Sequence, residues 1–174
     1  MPFTHQIVYM SKAKSRKYIH KLRYVKRLKG KPGFIRNHKV YGARKAGLIY
    51  ERRVATYLQA LHPRLYHYGP WFEYEDVQGR GWCQPDILFL PYSKKKPLVI
   101  YEIKLTYKPI AEHKLYNVYK PIVEYLYPKR DIKLCQIFKN LTKGFNNVLI
   151  DNPSNLIQSN ISYATWNFRN PPSY

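Results

Sequence analysis

The sequence predicts a mixed α/β domain built on a central sheet, and three observations lead there. The chain has 174 residues, 45% of them apolar, which suits one domain with a buried core better than a disordered polymer. Apolar residues recur at helical spacing in two long segments. Between and after these segments lie runs rich in aromatic and β-branched residues, the composition of strands. The order that results is helix, three strands, helix, strand, a unit with helices packed on a mixed sheet.

The N-terminal stretch comes first. From Lys12 to Lys45 there are fourteen Lys or Arg residues, and the first acid anywhere is Glu51. Tyr18, Ile19, Leu22 and Val25 recur at helical spacing among these cations. That predicts a basic helix with one thin apolar stripe, ended by Gly30 and the Lys31-Pro32-Gly33 turn. We read residues 1–40 as a basic N-terminal arm and 41–174 as the folded domain.

A second helix is expected over residues 43–61, with Leu48, Val54, Ala55, Leu58 and Leu61 on its apolar face and Pro63 stopping it. Glu51 falls on that same face, where a carboxylate is costly unless it meets a cation, a metal or several donors. The plainer alternative puts Glu51 at the edge of the stripe, paired in solvent.

Three strands should follow, over 66–75, 82–90 and 97–106, with a hairpin turn at 76–81 that carries Gly79 and Gly81. Trp71 and Trp82 flank that turn, as a cross-strand pair or as core residues. A helix over 109–127 offers Ile110, His113, Leu115, Val118, Ile122 and Leu126 for burial, and Pro121 implies a kink or break within it. Residues 132–138 form the fourth strand. The tail from residue 146 holds strand-like pieces at 148–150 and 161–166.

Charge narrows the partner. Against 31 Lys+Arg stand 10 Asp+Glu, a formal charge of +21, and such a surface attracts polyanions, nucleic acid first among them. Anionic membranes and acidic proteins stay open on charge alone. Lys12, Lys14, Arg16, Lys17, Lys21, Arg23, Lys26, Arg27, Lys29 and Lys31 are the candidate phosphate contacts, with a merely solvated tail as the alternative. Eighteen Tyr could add stacking on bases, although tyrosines more often fill cores; with the many Lys, Asn and Ile they also suit an AT-rich, viral genome.

Other classes recede. Cys83 and Cys135 are isolated thiols without zinc or disulfide spacing, and the six His, His62 and His113 among them, are scattered singly. The longest apolar runs, such as 98–101, are strand-sized and cannot span a bilayer. The first residues lack a signal-peptide pattern, so the cytoplasm is the expected compartment. The glycosylation sequons at Asn140 and Asn160 then read as chance matches.

The chemistry-bearing residues are Pro85-Asp86 and Glu102-Ile103-Lys104. Strand side chains alternate, so Glu102 and Lys104 share one face, and Asp86 converges on it if the second and third strands are neighbours. Two carboxylates side by side in a sheet repel unless a cation lies between them. Oxygen ligands favour a hard ion, Mg²⁺ or Mn²⁺, and the Ile103 carbonyl could add another oxygen. These are the parts for metal-assisted phosphodiester hydrolysis. Asp86 and Glu102 hold the ion, Lys104 orients water or neutralises the phosphate, and Glu51 binds through water or holds a second ion. Gln84, two residues before Asp86, could touch the metal water or the phosphate. An incidental pair of strand-edge charges is the competing explanation.

In these residues the chain resembles the PD-(D/E)xK, or restriction-endonuclease-like, nuclease superfamily. The matching pieces are Gly47-Leu-Ile-Tyr-Glu51-Arg-Arg-Val54, Gln84-Pro85-Asp86-Ile-Leu88 and Tyr101-Glu102-Ile103-Lys104, within residues 47–138. The resemblance implies a helix-strand-strand-strand-helix-strand core, DNA cutting with Mg²⁺, Asp86, Glu102 and Lys104 as the signature triad, and Glu51 as the acid of the first helix. The 47–54 stretch looks most like Holliday-junction resolvases and phage exonucleases. The exonuclease-type group often has Gln and Tyr after the lysine, where this chain has Lys114, Tyr116 and Tyr119 and no Gln. Resolvases of this fold act as dimers, so a homodimer is a further expectation, and RNA stays open as a substrate. The alternative function is a non-catalytic basic nucleic-acid-binding protein, ribosome- or genome-associated, or the same fold with cutting lost.

Overall fold

The computed structural model describes residues 16–140 and 161–165. They form a mixed α/β fold with two sheets. Helix α1 (Gly42–Leu61) stands where the apolar spacing placed it and buries Tyr50, Val54, Ala55 and Leu58, while Leu61 in its last turn is exposed. Strands β2 (Tyr66–Tyr68), β3 (Phe72–Asp76), β4 (Gly79–Cys83) and β5 (Ile87–Phe89) follow. The two long strands expected at 66–75 and 82–90 are therefore four short ones. Gly69 adopts a left-handed φ of +56° and precedes Pro70, and Pro85 interrupts the second run. Proline lacks the N–H that a ladder needs, so both segments leave one sheet and enter the other.

The first sheet is antiparallel, in the order β1-β3-β4, with β1 at Tyr24–Arg27. Its hairpin turns between Asp76 and Gly79, inside the expected turn. Trp71 and Trp82 do not pair: Trp82 lies opposite Glu73 and donates from Nε1 to its Oε2 at 3.3 Å. The second sheet has the order β2-β5-β6-β7-β8, with β6 at Leu98–Thr106, β7 at Ile132–Asn140 and β8 at Ile161–Thr165. Strands β2, β5 and β6 run antiparallel to one another, and β6, β7 and β8 run parallel. The strand-like piece at 148–150 lies outside the described residues.

The parallel step from β6 to β7 passes through α2 (Pro109–Lys114), a π-helical turn (Leu115–Tyr119) and α3 (Lys120–Leu126). The expected break at Pro121 is thus a widened turn just ahead of it. Pro121 offers no N–H, and its ring crowds the carbonyl four residues back, which a π turn relieves.

Among the described residues the basic N-terminal helix is not found. Residues 18–25 run irregularly into β1, where Val25 is buried, and Ile19 and Leu22 pack on the same cluster. Long-range backbone bonds hold the segment: Ile19 N to Asn117 O (3.1 Å), Arg23 N to Glu75 O (2.8 Å) and Leu28 N to Trp71 O (2.8 Å). Tertiary pairing overrides the weak helical pattern, and the stretch is part of the folded body rather than a free arm. Lys12 and Lys14 lie outside the described residues.

Two cores sandwich the five-stranded sheet. On one face Tyr50, Val54 and Leu58 of α1 meet Ile87, Tyr101 and Ile103. On the other, Leu98, Ile100 and Leu134 pack with Leu115, Val118 and Ile122, and with Phe72 and Tyr74 of the small sheet. Gly81 faces Tyr74 there, and a Cβ on it would come within 2.5 Å of the ring. Among the described residues no helix is long and apolar enough to cross a membrane.

Candidate functional site

The candidate site lies at a fork where β5 and β6 part. Their ladder ends at Ile87 opposite Tyr101, because Pro85 turns the chain away. The Asp86 side chain takes over the next position, and its Oδ2 accepts from Ile103 N–H at 2.6 Å. A carboxylate thus substitutes for a strand partner, which fixes it against β6.

Glu102 and Lys104 share one face of β6, as alternation requires. Lys104 Nζ stands 2.7 Å from Glu102 Oε1 and 3.3 Å from Asp86 Oδ2, and donates to the Ile103 carbonyl at 3.0 Å. Three oxygens assigned to a metal from the sequence therefore surround one ammonium. Glu102 is 1% exposed, and its second oxygen, Oε2, is buried without a hydrogen-bond partner. Glu51 reaches the same place from α1, with Tyr68 Oη donating to its Oε1 at 3.0 Å.

Crowded, desolvated acids hold their protons harder. Burial, then the nearby Asp86 charge, push both Glu51 and Glu102 up to about 7, against the opposing pull of Lys104. Burial pulls the Lys104 ammonium down, but Asp86 and Glu102 outweigh it, and its pKa ends above the ordinary value. Lys104 stays charged.

The structure also brings in residues to which the sequence assigned no role here. The π turn delivers Tyr119, which is buried and donates from Oη to the Gln84 carbonyl at 3.1 Å. Burial raises its phenol well above the ordinary value, with Glu102, Asp86 and Glu51 among the charges that add to the rise. Gln136 lies beside Glu102 across the parallel ladder, fully buried, with Oε1 unpartnered. Tyr163 is its next neighbour and donates to Glu112 Oε1 at 2.7 Å, so a polar row crosses three strands. A glutamine inside an apolar strand was the available signal for Gln136.

Two expectations fail. Gln84 sits in the connector between β4 and β5, where strand alternation does not apply, and its amide donates to the Gly69 carbonyl at 3.0 Å. Arg16 is not a free phosphate contact: it pairs with buried Asp76 and donates to the carbonyls of Gly79 (3.1 Å) and Arg80 (3.2 Å). Lys17, Lys21, Arg23, Lys26, Lys29 and Lys31 are exposed, Lys31 bonded to Asn37, and Arg27 is half-buried.

Among the described residues no group of three or more His, Cys, Asp or Glu is disposed to hold a metal ion. The donor set for an ion is two carboxylates and a carbonyl, and Glu51 lies near enough to feel the charges of Asp86 and Lys104. No protein-family model matches the chain, and no curated protein or solved structure matches it.

Proposed function

We propose that this chain is a Mg²⁺-dependent nuclease of the restriction-endonuclease-like kind, hydrolysing phosphodiester bonds in DNA. One observation carries the reading: Asp86 Oδ2, Glu102 Oε1 and Ile103 O converge on one point, held by the Lys104 ammonium, while Glu102 Oε2 beside it is buried and unpaired. An ion would bind at that oxygen and share the carboxylates with Lys104. A buried carboxylate oxygen without a donor is costly, and a divalent ion is a partner that removes the cost. Mg²⁺ takes one or two carboxylates and fills its other positions with water and phosphate, so this donor set fits it.

Bound there, the ion would polarise the scissile phosphate and acidify a water. Asp86 and Glu102 orient it from the fork. Lys104, kept charged by those two acids, neutralises negative charge developing on the phosphoryl oxygens. Glu51, which accepts a hydrogen bond from Tyr68, stands where it can hold a water of the ion, as its place on α1 allows. The charge of +21 draws the polyanionic substrate in, and binding should weaken steeply with salt.

A second reading, a non-catalytic nucleic-acid-binding protein, is favoured by Lys104 itself, whose ammonium already bridges both carboxylates. Cleavage of plasmid and branched DNA with Mg²⁺ separates the two. The nuclease nicks DNA, and Asp86→Ala and Lys104→Ala lose activity by roughly 10³-fold. Wild type that binds DNA and never cuts with Mg²⁺ or Mn²⁺ leaves the second reading.

A further inference from the structure

Where the chain passes from the five-stranded sheet to the three-stranded one, it leaves a cavity of about 280 Å³. Its lining includes Arg27 and Lys29 after β1, Gln59 of α1, Tyr66 and Tyr68 of β2, and Trp71 beyond the Gly69-Pro70 break. No Asp or Glu is among its lining residues. We infer that this cavity binds one nucleotide unit of a nucleic-acid strand, next to the scissile phosphate, through cations for phosphate and Trp71 for a base. This rests on the nuclease reading for its occupant.

Position is the first support. Tyr68 lines the cavity and also donates its hydroxyl to Glu51, and Gly69, another lining residue, donates its N–H to the Asp86 carbonyl at 2.8 Å. The cavity thus shares two lining residues with the hydrogen-bond partners of Glu51 and Asp86.

Backbone chemistry is the second. The β2–β5 ladder bonds Leu90 N to Leu65 O and Gly69 N to Asp86 O, so by alternation the N–H of Tyr68 points away from β5, at the open edge. The N–H and carbonyl of Tyr66, which point the same way, are taken by His62 O and Gln59 Nε2. That leaves the Tyr68 amide as an edge donor bordering the cavity, the kind of group that positions phosphates.

Third, cations and aromatics occur together here without an acid. Cations alone would suit any polyanion, including an acidic peptide. The indole of Trp71, half-buried at the cavity's edge, favours a base, because bases stack on aromatic rings.

The test uses the full chain without metal and fluorescein-labelled dT6, with affinity read by anisotropy across a salt series. Lys29→Glu should weaken binding about tenfold and flatten the salt slope by about one. Trp71→Ala should weaken it about tenfold, and Trp71→Phe should recover most of that because a ring remains. Lys95→Glu, an exposed charge on the 93–96 loop, should stay within about twofold. Should Trp71→Ala fail to fold, Lys29→Glu against Lys95→Glu decides. Equal losses for those two, or displacement of dT6 by an acidic hexaglutamate peptide, overturns the proposal. Cleavage assayed in parallel keeps the two readings apart. If wild type cuts and the cavity variants bind and cut like it, the cavity proposal alone fails. If wild type never cuts while binding still depends on Lys29 and Trp71, the cavity stands as a nucleotide site without a scissile phosphate beside it, and the nuclease reading fails.

Discussion

Asp76 and Glu102 are both almost completely buried acids in a strongly basic chain, yet they are treated in opposite ways. Asp76 pairs with Arg16 and accepts from the backbone N–H of His20 (3.2 Å) and of Gln78 (2.9 Å). Burial pushes its carboxyl up, but those bonds outweigh it and leave the pKa below the ordinary value. Glu102 has one ammonium on Oε1, nothing on Oε2 and Asp86 nearby, and burial raises it. A satisfied buried acid ties the N-terminal segment to a hairpin. An unsatisfied one, among further acids, is equipped to take a cation.

Exchanging each acid for a neutral side chain sharpens the contrast. The largest effect expected is on cleavage: Glu102→Gln should cut roughly 10³-fold more slowly than wild type, with its melting temperature in metal-free buffer at pH 8 equal or higher. A melting temperature several degrees lower would make Glu102 structural. Asp76→Ala should do the reverse, losing about 3 to 5 kcal/mol in denaturant unfolding because Arg16 loses its counter-charge and the N–H groups of His20 and Gln78 lose their acceptor, with Mg²⁺ affinity unchanged.

The acids also part in their pH dependence. A depressed group such as Asp76 contributes stability above its unfolded pKa, and that contribution is lost as pH falls through the folded value. Glu51 and Glu102 are raised, so their contribution is complete below the unfolded pKa and is lost as pH rises through about 7. Metal-free protein should therefore melt at lower temperature at about pH 8 than at about pH 6. An ion that binds the deprotonated carboxylates gains affinity over the same range, and at a hundred times its Kd it should add about 2.7 kcal/mol. A metal-free melting curve indifferent to pH would contradict the raised pair. The smallest effect belongs to Tyr68→Phe, which removes one hydrogen bond from Glu51 and should slow cleavage by about threefold to tenfold.

The site was more legible than its surroundings. Strand alternation put Glu102 and Lys104 on one face, and Asp86 meets them at the fork, although it arrives from the connector ahead of β5 rather than from a strand. Helix α1 followed from its spacing. Less legible was where a strand changes sheets, since the expected strands 66–75 and 82–90 run straight through Gly69-Pro70 and Gln84-Pro85. The N-terminal segment misled because Val25 is buried and Ile19 and Leu22 pack half-buried against the same cluster, but the segment is held by bonds to residues 71, 75 and 117 that no local window contains. Arg16 looked like one more phosphate contact for the same reason: Asp76 lies sixty residues away.

Titration with Mn²⁺, followed by electron paramagnetic resonance of the free ion, tests the centre most directly. Wild type should bind Mn²⁺, while Asp86→Asn and Glu102→Gln, folded by circular dichroism, should bind none and Asp76→Asn should bind like wild type. Wild type that leaves all the Mn²⁺ free, or Asp86 and Glu102 variants that bind it as well as wild type, would contradict the account.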